Sequence, residues 1–298
     1  MNPFFSIIIP TYNRAHTIRR PIDSIIAQTF TDWELIIVDD GSTDATQEII
    51  ETYKDPRIRY VWQENQERSA ARNLGIRLAT GGWICFQDSD DEYLPEHLEV
   101  LFEGIQNHPE YKVIRTGLLI YENGKLVGKS AINPSKYDQY PFECIQVYGF
   151  NKSVLNSVIF NPKIFIAEDL HFLIKIGLNY KILVIEKWTG NYFYNPESSG
   201  GVGRNYERNL NNKILCLDDI FTWNKSLVIS FVIRQRCLTE LLLLSGHFGY
   251  QRNKILFGFV RNIIVFFRFP LEYIKLIIRI VYVKIGESSG LYRTQGRF

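Results

Sequence analysis

The first 90 residues switch repeatedly between two hydrophobic periods, and this constrains the chain more than any other feature. Residues 4–9 ("FFSIII") form a short apolar run rich in β-branched side chains, the pattern of a buried strand. Residues 16–28 then carry Ile18, Ile22, Ile25 and Ile26 at helical spacing. Residues 34–38 ("ELIIV") read as a second buried strand, 43–53 as a helix with Ser42 or Thr43 as N-cap, and 58–62 as a third strand. A helix over 69–79, stopped by Gly81-Gly82, leads to a fourth strand over 83–87. This alternation implies an α/β fold: a mostly parallel sheet with helices on both faces. Ligands of such sheets bind beyond the carboxyl ends of the strands. The segments that matter most are therefore Pro10-Thr11-Tyr12-Asn13, Asp39-Asp40-Gly41-Ser42 and Asp88-Ser89-Asp90-Asp91.

The remainder is less regular. Residues 112–121 read as a strand, and Glu122-Asn123-Gly124-Lys125 is a hairpin turn signal. Residues 128–152 show few clear elements. A short helix over 169–177 precedes strands over 182–185 and 188–194. The Gly/Ser/Pro-rich stretch 195–205 suits either a lid over the chemistry or a surface linker. Residues 206–285 look helical. The expected domains are a catalytic α/β domain over 1–200 and a basic helical extension over 201–298.

Composition narrows the function by exclusion. The chain has 298 residues, 46% of them hydrophobic and 22% charged, which is ordinary for a globular protein. Cys85, Cys144, Cys216 and Cys237 form no CxxC pair, so neither a Cys-rich zinc site nor a disulfide scaffold is expected. No run of about 18 uncharged apolar residues exists, and the start resembles neither a secretory signal nor a myristoylation site. The expectation is a cytoplasmic protein.

Two acidic clusters follow two strands of one sheet, which places Asp39-Asp40 and Asp88/Asp90/Asp91 at the same edge. Hard oxygen donors gathered this way suit Mg²⁺ or Mn²⁺, which bridge to substrate phosphates. The spacing Asp88-x-Asp90 puts both side chains on one side of an extended chain. Each cluster alone is also what loops after strands commonly carry.

The segments "SIIIPTYNR" (6–14), "AQTFTDWELIIVDDGSTDAT" (27–46), "AARNLGI" (70–76) and "FQDSDDEYLP" (86–95) resemble family-2 glycosyltransferases of the GT-A fold. The resemblance implies a Rossmann-like mixed, mostly parallel sheet with flanking helices. It also implies inverting transfer of a sugar from a nucleotide diphosphate sugar with a divalent metal, Mg²⁺ or Mn²⁺. Pro10, Thr11 and Tyr12 match the segment packing on base and ribose. Asp40 matches the aspartate that hydrogen-bonds the base, commonly uracil, whose imide N–H a carboxylate can accept. Arg72 matches a nucleotide-side arginine, Asp88 the ribose-side aspartate of the DxD motif and Asp90 its metal ligand. Asp91 is similar to the acid that follows.

Inversion needs a base to take the acceptor's proton. The resemblance supplies one from an "ED" pair at a helix start. Here Glu168-Asp169 precedes "LHFLIKIGL", which marks Asp169 as base and Glu168 as its support. His171-Phe172 and Lys175 depart from the family's usual acid, Trp and Arg, on the acceptor side. Acids at a helix start are also favourable in themselves.

Charge is uneven along the chain. Residues 250–298 carry nine Lys/Arg against two acids, so the first 249 residues hold a net −5 of the overall +2. Lys254, Arg261, Arg268 and Lys275 recur every seven residues among aliphatics. Residues 250–285 thus suit peripheral contact with an anionic membrane, or packing as a helical subdomain or dimer interface. Cations interleaved with aliphatics disfavour nucleic acid. The expected partners are a nucleotide-sugar donor and a glycan or lipid-linked acceptor, in cell-surface polysaccharide or glycolipid assembly. Two rival readings are a nucleotidyltransferase, disfavoured by "PTYNR" where a Gly-rich basic segment would stand, and a non-catalytic sugar-nucleotide-binding module.

Overall fold

In the first strand alternate isoleucines are buried on opposite sides, and two cores follow from that. Ile7 and Ile9 join one apolar cluster and Ile8 the other. The computed structural model describes residues 2–130, 132 and 144–194, together with 212, 215, 216 and 219. The chain divides into two units, Met1–Tyr206 and Glu207–Phe298. The lid-or-linker stretch 195–205 and the basic segment 250–285 lie outside the described residues.

The first unit runs β1 (Phe5–Thr11), α1 (Arg19–Ile26), β2 (Trp33–Asp39), α2 (Thr46–Glu51), β3 (Ile58–Trp62), α3 (Glu67–Leu78), β4 (Trp83–Phe86), β5 (Glu92–Tyr93) and α4 (His97–Asn107). It continues with β6 (Val113–Glu122), β7 (Lys125–Lys129), a 3₁₀ turn (Ile145–Val147), β8 (Tyr148–Asn151), α5 (Lys152–Leu155), α6 (Glu168–Asn179) and β9 (Ile182–Tyr194). Among the described residues the strands make one nine-stranded mixed sheet, ordered β3-β2-β1-β4-β8-β6-β9-β5, with β7 on β6. The β3-β2-β1-β4 part is parallel, as the alternation requires. β8 is antiparallel to both its neighbours, and β6 and β9 run parallel. The core under α1, α2 and α4 is built on Phe5, Ile7, Ile9, Leu35 and Ile37. The opposite core holds Ile8, Ile36, Val38 and Phe86 against residues of α3, α5 and α6.

Several expectations shift, each for a local reason. The helix expected over 16–28 starts only at Arg19, because Asn13, Arg14 and Ala15 donate their backbone N–H groups to Ser42, Thr46 and Asp44. The helix expected from Thr43 starts at Thr46. Neither Ser42 nor Thr43 caps it; Asp44 Oδ1 instead accepts from Thr46 N at 3.1 Å. The two strands expected over 182–194 are one, carried past exposed Glu186 and Lys187 by a register shift against β6. The stretch 128–152, where the sequence shows few clear elements, holds the 3₁₀ turn and β8, and α5 begins at its last residue.

α3 lies directly on β1. A Cβ on Gly75 would meet Ile8 Cγ2, a stiff β-branched methyl in a residue with no exposure. On an open helix Gly→Ala would stabilise by about 1 kcal/mol. Here the overpacking, roughly 1–3 kcal/mol, should win. Gly75→Ala is expected to lower the melting temperature by several degrees in a thermal scan; a rise would show that Ile8 can move aside.

Candidate active site

The carboxyl ends of β1, β2 and β3 are in register at Thr11, Asp39 and Trp62. Backbone bonds extend that edge: Asp40 N donates to Thr11 O at 2.8 Å, Gln63 N to Asp39 O at 2.9 Å and Gln87 N to Ile8 O at 3.0 Å. Every acidic segment singled out in the first 90 residues leaves the sheet here.

At the β1–β2 end, the two loops are latched together. Asn13 N donates to Ser42 Oγ and Asn13 Oδ1 accepts from Thr43 N. Gly41 adopts φ +84°, and a Cβ there would sit 3.0 Å from Asn65 N. Asp39 is structural: it accepts from Ser42 N at 2.8 Å and from the Tyr60 hydroxyl at 2.9 Å. Asp40 is buried, and its Oδ1 accepts from Gln63 Nε2 at 2.6 Å and Gln66 N at 2.9 Å. Burial pushes its carboxyl above the ordinary range, opposed by those hydrogen bonds. Pro10 and Thr11 are buried, the Thr11 hydroxyl has no partner among the described residues, and Tyr12 stands 46% exposed beside them.

Asp88-Ser89-Asp90-Asp91 is a turn and not the extended segment expected, with Asp91 N against Asp88 O at 3.5 Å. The alternation argument for Asp88 and Asp90 therefore does not apply, although the two carboxylates remain close enough to influence each other. Burial and then Asp88 raise the Asp90 pKa, while Arg14, 3.8 Å away, opposes the rise. Arg20 donates to the Asp90 carbonyl at 2.9 Å and lies over the Phe193 ring at 4.1 Å. Asp91 points inward: 1% exposed, it accepts from Phe193 N at 2.8 Å and ties the turn to β9. Burial, with Asp88 adding, pushes its carboxyl up to about 8.

The third group sits on α3 and at the start of α6. Arg72, with no exposure, donates from Nη1 to Asp169 Oδ1 at 2.6 Å and to Glu168 Oε1 at 3.2 Å, and from Nη2 to Asp88 Oδ1 at 3.0 Å. Arg68, one turn earlier, reaches Glu168 Oε1 at 3.3 Å. α3 also fixes the approach to α6. Ser69 Oγ donates to Ile164 O at 2.7 Å, and Asn73 exchanges two hydrogen bonds with the Phe160 backbone. Ala167 then turns through a left-handed conformation, φ +58°, immediately before the two acids. Two guanidinium charges thus face three carboxylates. Burial raises the Asp169 carboxyl above the usual range, with Arg72 holding it down and Glu168 and Asp88 adding to the rise. Burial disfavours the Arg72 charge, but Asp169, Asp88 and Glu168 more than offset this and raise its pKa.

The structure thus brings Asp88, Glu168 and Asp169 around one guanidinium and keeps Asp40, Thr11 and Tyr12 on the neighbouring strand ends. Arg14, Arg20, Arg68, Gln63, Ser69 and Asn73 are absent from the sequence reading as site residues. Arg14 was the most accessible of these, as a cation closing the "PTYNR" segment.

A divalent metal can be judged on donor chemistry. Among the described residues no group of three or more His, Cys, Asp or Glu side chains is arranged to hold one. Magnesium-type sites, however, use one or two carboxylates and complete their shell with water and substrate phosphate. Asp90, 34% exposed at its side chain and crowded by Asp88, fits that role.

This sheet order with flanking helices is the GT-A fold, and the chain belongs to glycosyl transferase family 2: the family's sequence profile matches residues 6–156, just over half of it. Glycosyltransferase GlyA of Streptococcus pneumoniae is 42% identical over 102 residues, 34% of this chain and 15% of that protein. Escherichia coli WfgD, named a UDP-Glc:alpha-D-GlcNAc-diphosphoundecaprenol beta-1,3-glucosyltransferase, is 33% identical over 138 residues, 44% of this chain and 53% of that protein. The match thus takes in about one seventh of GlyA and little more than half of WfgD. S. aureus TarS 1-349, solved in complex with UDP-GlcNAc, aligns with a TM-score of 0.62 at 25% identity over 85% of this chain and 74% of that one.

Proposed function

We propose that this protein is an inverting glycosyltransferase that moves a sugar from a nucleotide diphosphate sugar, with UDP as nucleotide, to an acceptor hydroxyl. One observation carries the reading: Asp88 of the turn after β4 and Asp169 of α6, 81 positions apart in the sequence, share the Arg72 guanidinium at one end of the sheet. A donor-side acid and an acceptor-side acid are thereby held in one site. The UDP-GlcNAc complex of TarS supports the donor class, and the name of WfgD supports a lipid-linked acceptor in polysaccharide or glycolipid assembly.

In this reading the uracil imide N–H donates to Asp40, the Tyr12 ring packs on the base and Asp88 accepts from a ribose hydroxyl. Pro10 and Thr11 form the floor beneath them. Asp90 would hold Mg²⁺ or Mn²⁺, which when bound supplies Lewis-acid neutralisation of the departing diphosphate. Arg14 and Arg20 add positive charge on the same side. Asp169 takes the acceptor's proton as the new bond to the anomeric carbon forms. The bond to the diphosphate oxygen breaks and its electron pair leaves with the nucleotide. Attack opposite the leaving group inverts the centre, so an α-linked donor gives a β-linked product.

The test is a thermal-shift screen of UDP-glucose, UDP-GlcNAc and GDP-mannose, each with and without Mn²⁺. A donor at about 100 times its dissociation constant should stabilise the fold by about 2.7 kcal/mol. Turnover should release free nucleoside diphosphate. Release of pyrophosphate would mark a nucleotidyltransferase, and binding without turnover a non-catalytic module. No helix among the described residues is long and apolar enough to cross a membrane; peripheral contact through 250–285 belongs to the proposal alone.

A further inference from the structure

The resemblance gives Arg72 to the nucleotide, but its surroundings point elsewhere. Its side chain has no exposed surface, and its two Nη atoms are taken by carboxylates from two different elements. Its guanidinium carbon lies 5.2 Å from the centroid of the Phe160 ring, which itself stacks on Phe172 of α6 at 4.2 Å. The helix beneath it is fixed from both sides: Gly75 presses on Ile8, and Ser69 and Asn73 grip residues 160–164. A planar fork with fixed donor directions, mounted on a clamped helix, sets the separation of whatever it binds. Its two branches hold Asp88, 23% exposed at its side chain, and Asp169, 25% exposed. Both acids reach solvent, whereas the arginine does not.

We infer that Arg72 is a positioning residue that touches no substrate: it fixes the base Asp169 relative to the donor-side Asp88, so that the acceptor's proton is taken where the donor's anomeric carbon stands. This deepens the proposed function and rests on the reading of Asp169 as base. A displacement of about 1 Å in such a constellation costs roughly 100-fold in rate. The loss should fall on turnover, because Arg72 itself gives the nucleotide no contact: the base is held at the ends of β1 and β2, and the Asp88 carboxylate that accepts from the ribose is still present in the variants.

The experiment uses the full chain and Arg72→Gln, Arg72→Lys, Asp169→Asn and the Arg72→Gln/Asp169→Asn double variant. UDP affinity is measured by calorimetry with Mn²⁺, and UDP release at saturating donor is followed with whichever of UDP-glucose or UDP-GlcNAc is turned over. Arg72→Gln should lose roughly 100-fold in kcat with the UDP dissociation constant within about threefold of the parent. Arg72→Lys, which keeps the charge but not the fork, should recover only part of the rate. If Arg72 acts through Asp169, the double variant should be no slower than Asp169→Asn alone. A tenfold weaker UDP affinity with unchanged kcat would return Arg72 to the nucleotide and overturn the inference, as would losses that multiply in the double variant. If Arg72→Gln does not fold, the same split between affinity and kcat is read from Arg72→Lys. Full activity in Asp169→Asn would sink the base assignment itself; an inactive Asp169→Asn beside an unimpaired Arg72→Gln would sink only the role of Arg72.

Discussion

Asp169→Asn is expected to abolish sugar transfer, by roughly 100- to 10,000-fold, while the protein folds and binds its donor as before. An amide is nearly isosteric with the carboxylate, and its oxygen can still accept from Arg72 Nη1, now 2.6 Å from Asp169 Oδ1. The charge balance also favours folding. Arg68 and Arg72 face Asp88, Glu168 and Asp169, so removing one negative charge leaves two against two. The melting temperature should therefore hold or rise, which separates lost chemistry from lost structure. The parent protein's pH profile supplies a second check. Only ionised Asp169 can take a proton, and burial, Glu168 and Asp88 raise its pKa against the pull of Arg72 and Arg68. Transfer should accordingly rise with pH along a limb lying above the ordinary aspartate value of about 3.9. A flat profile from pH 4 upward, or an Asp169→Asn protein at full rate, would remove Asp169 from the mechanism.

Much of the fold was legible because its signals are local. The runs leading to β1, β2, β3 and β4 announce buried parallel strands, and each observed strand lies within two residues of its expected ends. α4 is missing from the sequence reading although Leu98, Leu101 and Ile105 are spaced i, i+3 and i+7. Helix starts were less legible, because the bonds that delay α1 come from residues 42–46, on the far side of β2. The candidate site divides the same way. Motifs locate Asp40, Asp88, Asp90 and the Glu168-Asp169 pair along the chain, but nothing local says that Arg72 joins them across separations of 16, 96 and 97 residues. Asp91 shows the converse limit. It stands in the same acidic string as Asp90, yet the backbone of Phe193 turns it inward.

That inward turn sharpens what Asp90→Ala should do. With Asp91 committed to β9 and Asp88 to Arg72, Asp90 is the acid of the turn with the most exposed side chain among those with a described ion pair there. Its only such pair, to Arg14, is long at 3.8 Å. An exposed pair of that length contributes little to stability, whereas the like charge of Asp88 opposes ionised Asp90. Metal-free Asp90→Ala protein should thus melt at or slightly above the parent's temperature. Transfer should fall roughly 1,000-fold or more, since neutralising a departing diphosphate is a task of several kcal/mol. Calorimetry adds a measurement independent of turnover: Mn²⁺ should strengthen UDP binding to the parent and leave Asp90→Ala unaffected. If the variant keeps both its transfer rate and its Mn²⁺ response, Asp90 holds no metal and Arg14 with Arg20 becomes the charge that receives the leaving group. If it loses the Mn²⁺ response but keeps the rate, the ion binds without serving the chemistry. Loss of both, in a protein that melts no lower than the parent, is the outcome expected if Asp90 holds the ion as proposed.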